Sequence, residues 1–305
     1  SRFRLFHFNS LNITLYSNML DSIVLKKFIN YLDLIRFNKP IGFALLVWPC
    51  WFALSILDNS ILELLNWYLI FLIGGFLMRS AGCIINDIID MNIDKKIYRT
   101  KSRPLASGKL TIIEAVFFLI ILLFLSFLIL LNFNFNTIIL GILSIPLITL
   151  YPLMKRFTFW PQAFLGLIFS WGVLVVAIQF ENTLSIHFIL LYIACFFWTL
   201  AYDTIYAYQD IEDDKKNNIR STAVLFKEFG KLWVIAFYSV FLIIIGSIGY
   251  IKSESIISLF VIFLFLVIWI YIINKWDVKS KKSSNFFFRI NNLFGLLCFS
   301  YLNVF

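Results

Sequence analysis

Residues 112–131 read IIEAVFFLIILLFLSFLILL, a run interrupted by a single charge, Glu114, and a single hydroxyl, Ser126. At about 1.5 Å per residue a helix of that length reaches about 30 Å, the thickness of a bilayer's hydrocarbon core. The run is apolar on every side rather than striped, so none of its faces asks for water. Working outward, comparable runs recur at roughly 41–57, 67–85, 137–153, 162–180, 187–205, 233–250, 256–273 and 287–304. Of the 305 residues 61% are hydrophobic and only 14% charged. A soluble surface normally takes about a quarter charged residues, so lipid is the solvent for most of this chain. Backbone groups in lipid must be satisfied within their own segment, which leaves helices for spans that are this long. The expected fold is therefore all-α, a polytopic membrane bundle of nine transmembrane helices in a lipid bilayer.

The longest connectors run from about 86 to 111 and from about 206 to 232, too short to fold alone. Residues 31–305 are accordingly expected to form one membrane domain. Residues 1–30 read as an N-terminal tail, disordered or targeting: Arg2 and Arg4 among Ser and Asn suit a transit peptide. The favoured alternative is that Met19 begins the native chain, with residues 1–18 upstream sequence or a disordered tail.

A formal charge of +9 in a soluble protein would suggest nucleic acid. Here the bases gather in alternate connectors: Lys26, Lys27, Arg36 and Lys39; then Lys95 to Lys109; then Lys155 and Arg156; then Lys215 to Lys231; then Lys275 to Arg289. The intervening connectors, around Asp58, Asn134, Glu181 and Lys252, hold almost none. That asymmetry is a topology signal and argues against a nucleic-acid partner. It places the N-terminus and the long connectors on the cytoplasmic (or matrix) side and the C-terminus outside. Cys50, Cys83, Cys195 and Cys298 are far apart with no C-x-x-C pair, and the only histidines are His7 and His187. Neither a zinc site nor a haem site has support in that pattern.

Two segments break the apolar pattern with clustered acids. The first reads Asn86-Asp87-Ile88-Ile89-Asp90-Met91-Asn92-Ile93-Asp94. At about 100° per residue, Asn86, Asp90 and Asp94 share one helix face and Asp87 lies beside it. In the second, running from Asp203 to Asp214, the residues Asp203, Asp210 and Asp214 make a comparable stripe. A carboxylate at membrane depth costs about 2.5–3.5 kcal/mol, so such groups usually face an internal cavity. Both segments leave even-numbered spans and open on the same side. Two acidic stripes on one cavity would repel unless cations sit between them, and a few carboxylates completed by water and phosphate oxygens describe a Mg²⁺ site. The bland reading is a pair of solvated interfacial loops; matched spacing on one side weighs against it. Lys and Arg nearby supply what a departing diphosphate needs, and an interior rich in aromatics (36 Phe, 13 Tyr, 9 Trp) suits an isoprenoid tail and an allylic cation.

The chain resembles the UbiA superfamily of intramembrane prenyltransferases, and within it the 4-hydroxybenzoate polyprenyltransferases of ubiquinone biosynthesis. The resemblance rests on an ordered set from about residue 30 to the end. It comprises Arg36-Phe37-Asn38-Lys39-Pro40-Ile41-Gly42, the Asn86–Asp94 segment, Arg103-Pro104-Leu105 with Ser107-Gly108, Tyr151-Pro152-Leu153-Met154-Lys155-Arg156, Trp160-Pro161-Gln162, the Asp203–Asp214 segment and Ser221-Thr222-Ala223. Asn38 stands where the family often has Asp, and Arg220 where it usually has Lys.

The resemblance implies a nine-helix bundle around a central cavity, in an inner membrane of a bacterium or, alternatively, of mitochondria. It implies transfer of a polyprenyl group from polyprenyl diphosphate to the 3-position of 4-hydroxybenzoate. Asn86, Asp90, Asp94, Asp210 and Asp214 would hold Mg²⁺ and diphosphate, with Asp87 beside them. Arg99, Arg103, Tyr151 and Lys155 look like diphosphate contacts, and Arg156 like a contact for the acceptor's carboxylate. Arg36 would line the same polar pocket and Asp203 would orient the acceptor. Related prenylations of haem, chlorophyll, homogentisate and menaquinone precursors are rivals within the superfamily. A cation transporter is the rival outside it, disfavoured because both acidic stripes lie near one membrane face rather than at the midplane. Alanine at Asp90 or Asp210 is expected to abolish turnover while the protein still folds into membranes; full activity in either variant would refute the metal assignment.

Overall fold

The computed structural model describes residues 24–305, and every regular element among them is helical. A helix over residues 24–34, α1, leads to α2 (Ile41–Ser55), α3 (Leu65–Asp94), α4 (Ile112–Leu130) and α5 (Phe135–Phe157). Next come α6 (Pro161–Phe169), α7 (Trp171–Glu181), α8 (Ile186–Ala207), α9 (Ile211–Lys216) and α10 (Thr222–Phe226). The chain ends with α11 (Gly230–Ser253), α12 (Ile256–Asn274), α13 (Lys281–Arg289) and α14 (Asn291–Val304). Of the expected tail, residues 1–23 lie outside the described residues, whereas 24–30 belong to α1.

The opening run becomes α4. Its one charge sits in the first turn, where Glu114 and Thr111 form a capping box: the Thr111 hydroxyl accepts from the Glu114 N–H (3.3 Å) and the Glu114 carboxylate from the Thr111 N–H (2.8 Å). Lys27 of α1 pairs with the same carboxylate at 2.5 Å. Beyond this cap α4 fully buries only Ala115 and Leu122; Leu123 and Ile129 face the cavity, and much of the remainder faces outward, as on a lipid-facing helix.

Seven helical runs among the described residues are long and apolar enough to cross a membrane. The other two expected spans are helical but shorter. α2 has 15 residues, and the last is split by a break at Ile290 into α13 and the 14-residue α14. The expected span 162–180 is likewise two helices that meet at Ser170. The all-α membrane bundle stands, with breaks that an apolar pattern does not mark.

α3 departs in the other direction. Its 30 residues make a helix of about 45 Å, some 15 Å longer than the hydrocarbon core. The surplus is the acidic segment 86–94, which contains no Gly or Pro to end the helix.

α8 is the central post, packed on α11, α6, α13, α7, α10 and α2. Trp198 of α8 is fully buried, with ring centroids 5.5 Å from Phe52, 5.5 Å from Phe241 and 5.7 Å from Phe294. The break before α14 is held by Asn291, whose side-chain oxygen accepts from the Trp198 indole N–H (2.9 Å) and the Tyr238 hydroxyl (2.7 Å). Its amide nitrogen donates to the Phe287 carbonyl (2.9 Å), which the break has released from helix bonding. Asn291→Leu strands two buried donors, so it should lose about 2 kcal/mol of stability and melt several degrees lower in detergent. An unchanged melting temperature would mean that the joint is held by packing alone.

Candidate active site

A cavity of about 1240 Å³ opens at the end of the bundle that carries the acidic segments. Asn86, Asp90 and Asp94 line one wall from the last turns of α3, one helical turn apart. Asp203 from α8, Asp210 at the head of α9 and Asp214 within α9 line the other. Arg36, Arg99, Arg103, Tyr151 and Lys155 complete this polar zone. Deeper in, the lining is apolar, with Leu45, Phe71, Ile129, Phe133, Ile145 and Val175.

Most of the acids are matched by a base. Arg99 forks onto both oxygens of Asp210, with Nε to Oδ1 at 2.8 Å, and its guanidinium lies 4.9 Å from the Tyr206 ring. Lys155 of α5 donates to Asp90 of α3. Arg103 donates to Asp94 at 2.7 Å and to Asp87 at 3.1 Å. These contacts join the two acidic walls to the connector and to α5, and each is a charge-assisted bond in a low-dielectric setting.

Two residues of the sequence-derived set lie off the cavity lining. Asp87 is 1% exposed and its Oδ1 takes Arg36 (2.5 Å) and Arg103 (3.1 Å), while its Oδ2 is buried without a hydrogen-bond partner; lying off the lining, it organises bases beside the cavity. Its position one residue from Asn86 turns it about 100° away from the cavity face. Arg156 is directed outward: its guanidinium donates to the Ile89 carbonyl (3.0 Å) and stands 3.8 Å from Asp90, with 44% of the side chain exposed.

Among the polar groups on the lining, Asn86, Tyr151, Asp203 and Arg79 have no side-chain hydrogen bond or ion pair among the described residues. Arg79 was hidden inside the run 67–85, although an arginine at membrane depth is itself a signal of function. It lies 5.7 Å over the Phe169 ring, and Gly42 makes room for it: a Cβ there would come within 2.9 Å of the guanidinium. Gln209 and the α13 residues Lys281, Lys282 and Arg289 also line the cavity and had no assigned part in it.

The other segments of the ordered set hold the second wall in place. The Gln162 side chain accepts from the Thr222 N–H (3.0 Å), and the Thr204 and Thr222 hydroxyls bond at 2.8 Å. Ser221 caps α10 and donates to Asp214 at 3.3 Å, and the Arg220 N–H reaches the Lys155 carbonyl at 3.0 Å. Burial, and then the charge of Asp210, push the Asp214 carboxyl up to about 7. A neighbouring cation would reverse that shift.

Residues 46–293 match the model of the UbiA prenyltransferase family. The chain belongs to this family. Among its curated relatives, a 4-hydroxybenzoate octaprenyltransferase from Blochmanniella pennsylvanica is 38% identical over 277 residues, 90% of this chain and 95% of that protein. A mitochondrial 4-hydroxybenzoate polyprenyltransferase from Arabidopsis thaliana is 46% identical over 209 residues, 68% of this chain and 51% of that one. A UbiA homolog from Archaeoglobus fulgidus, solved bound to GPP and Mg²⁺, shares the fold at TM-score 0.65 and 20% identity, covering 90% of this chain and 98% of that one. A UbiA homolog from Aeropyrum pernix gives TM-score 0.67 at 21% identity, covering 84% and 98%.

For this member of the UbiA family the placement of Asp87 gives a direct test. Asp87→Asn should lower thermal stability, by roughly 1–3 kcal/mol, because Arg36 and Arg103 lose a buried counter-charge. Its Mg²⁺ requirement should match wild type, whereas that of Asp94→Asn should rise. Equal shifts in both variants would return Asp87 to the ligand set.

Proposed function

We propose that this chain transfers a polyprenyl group from polyprenyl diphosphate to the ring carbon ortho to the hydroxyl of 4-hydroxybenzoate, in ubiquinone biosynthesis. The observation that carries the reading is one cavity with a charged end and an apolar body. Carboxylates and bases from both acidic walls meet at its head, and its depth is lined by side chains suited to an isoprenoid. The relatives above, named for the same acceptor, support the choice of substrate.

Divalent metal fits the donor set. Among the described residues no three acidic, histidine or cysteine side chains are clustered to hold an ion by themselves. Mg²⁺ is commonly bound through one or two carboxylates, with phosphate oxygens and water completing its shell. Asp90 keeps one buried oxygen without a hydrogen-bond partner, and Asn86 faces the cavity beside it. Asn86, Asp90, Asp94, Asp210 and Asp214 would therefore hold Mg²⁺ that arrives with the diphosphate. Bound there, Mg²⁺ neutralises the diphosphate oxygens and makes it a better leaving group.

The chain's own residues do the rest. Arg99, Arg103 and Lys155 exchange their carboxylate partners for diphosphate oxygens and stabilise the charge that develops as the allylic C–O bond breaks. Tyr151 donates from the same end. Arg79, a cavity cation with no ion pair among the described residues, takes the acceptor's carboxylate, a role more accessible to it than to the outward Arg156. Asp203, a cavity carboxylate with no hydrogen bond or ion pair among the described residues, orients the acceptor hydroxyl. The ring carbon gives its electron pair to the allylic carbon, and loss of the ring proton restores aromaticity. The apolar walls keep water from the cation.

The protein acts in the bacterial or mitochondrial inner membrane with this end on the cytoplasmic or matrix side, a placement supported by the run of basic connectors. Membranes holding the protein should convert 4-hydroxybenzoate and a prenyl diphosphate to the 3-prenyl product with Mg²⁺ and not with EDTA, as read by mass analysis of the lipids. Arg79→Ala should raise KM for 4-hydroxybenzoate about tenfold or more, with less effect on the prenyl diphosphate. Product formation independent of Mg²⁺, or with other phenols but not this one, would overturn the reading.

A further inference from the structure

The bases of the last connector, Lys275, Lys279, Lys281, Lys282 and Arg289, divide into two groups in space. Lys281, Lys282 and Arg289 line the mouth of the cavity, together with Asn285 and Phe288, at spacings that put them on one face of α13. Lys275 and Lys279 do not. Lys275 lies 4.4 Å over the Tyr271 ring, and Lys279 sits in a turn where its N–H donates to Asp277 at 3.0 Å. All five serve equally as topology signals, so orientation in the membrane does not account for the division.

α13 is also tied directly to the acidic wall. Phe288 packs against Tyr206 with ring centroids 4.6 Å apart and the rings tilted by 47°, Tyr206 underlies Arg99, and Arg99 grips Asp210. Four of the cations within differ from those on this rim in one respect. Arg36, Arg99, Arg103 and Lys155 are each engaged by an aspartate. Lys281, Lys282 and Arg289 are exposed and have no ion pair among the described residues. An arriving polyanion can therefore meet the rim before any ion pair has to open. Uncompensated charges at a mouth with low-dielectric walls focus the field outward over a Debye length, about 10 Å at 0.1 M salt.

We propose that Lys281, Lys282 and Arg289 form an outer docking rim that captures the diphosphate headgroup of the prenyl donor and passes it to the Asp90–Asp210 end. This rests on the proposed prenyl transfer. The rim acts on capture, so its signature lies in the salt dependence of kcat/KM for the donor.

The test uses the full chain in a neutral detergent with Mg²⁺, 4-hydroxybenzoate and geranyl diphosphate, a donor soluble enough to arrive from water. Rates are taken from about 20 to about 500 mM NaCl, the range over which screening of exposed charges becomes complete. Lys281→Gln/Lys282→Gln/Arg289→Gln should lose about tenfold in kcat/KM for the donor at low salt, through KM, and converge on wild type at high salt. KM for 4-hydroxybenzoate should change less. Lys275→Gln/Lys279→Gln should follow wild type throughout, and Lys281→Arg/Lys282→Arg/Arg289→Lys should restore the salt slope. The three single variants, each with a fraction of the effect, replace the triple variant if it fails to fold. A triple or summed single effect of zero, or an equal loss in the Lys275/Lys279 control, overturns the rim. Absence of product from wild type with every prenyl diphosphate tried would instead overturn the prenyl-transfer reading.

Discussion

Asp90 lies 1% exposed near the end of a long apolar helix, and it is tolerable there because Lys155 from α5 reaches it. The same constraint recurs at Asp210 with Arg99 and at Asp94 with Arg103. Each carboxylate costs several kcal/mol to remove from water unless a partner compensates it, and removing one partner is worse than lacking both. The polar end of the cavity is therefore specified by pairs, and two of them, Asp90 with Lys155 and Asp210 with Arg99, join elements distant in sequence. α3, α5, the connector between α3 and α4 and the segment that follows α8 are brought into register by charge as much as by packing.

Those pairs are also the reason the site can work. Paired, these charges expose little net charge to lipid, and in the proposed reaction Arg99, Arg103 and Lys155 would turn to phosphate oxygens once cations take over Asp210, Asp94 and Asp90. Behind them, the aromatic packing of Trp198, Phe241 and Phe294 and the Asn291 joint provide the rigidity that such an exchange needs. The outer bases of α13 stand apart from this exchange because no aspartate holds them.

Part of the site was legible in the sequence because a helix converts spacing into direction. Asn86, Asp90 and Asp94 recur at four-residue steps, so one wall could be named from the letters alone. Asp87 could not be separated from them, since its direction depends on which face α3 presents to its neighbours. Arg79 was obscured by the run that surrounds it, where window-averaged hydropathy conceals a single charge. The α13 bases were ambiguous for another reason: topology and ligand capture use the same residue types in the same connectors.

The lipid-embedded all-helical class, the positions of the apolar runs and the existence of two acidic stripes follow from sequence alone. Each depends on local composition and on the 3.6-residue period, which need no knowledge of neighbours. The breaks at Ser170 and Ile290, the turning of Asp87 away from the cavity and the facing of Arg79 and α13 into it were decided by tertiary structure. They depend on which helices touch and on where a backbone group or a charge finds its partner, and such contacts span 111 residues for Arg99 and Asp210 and 244 for Trp48 and Asn292. No window of local sequence holds both ends of such a contact.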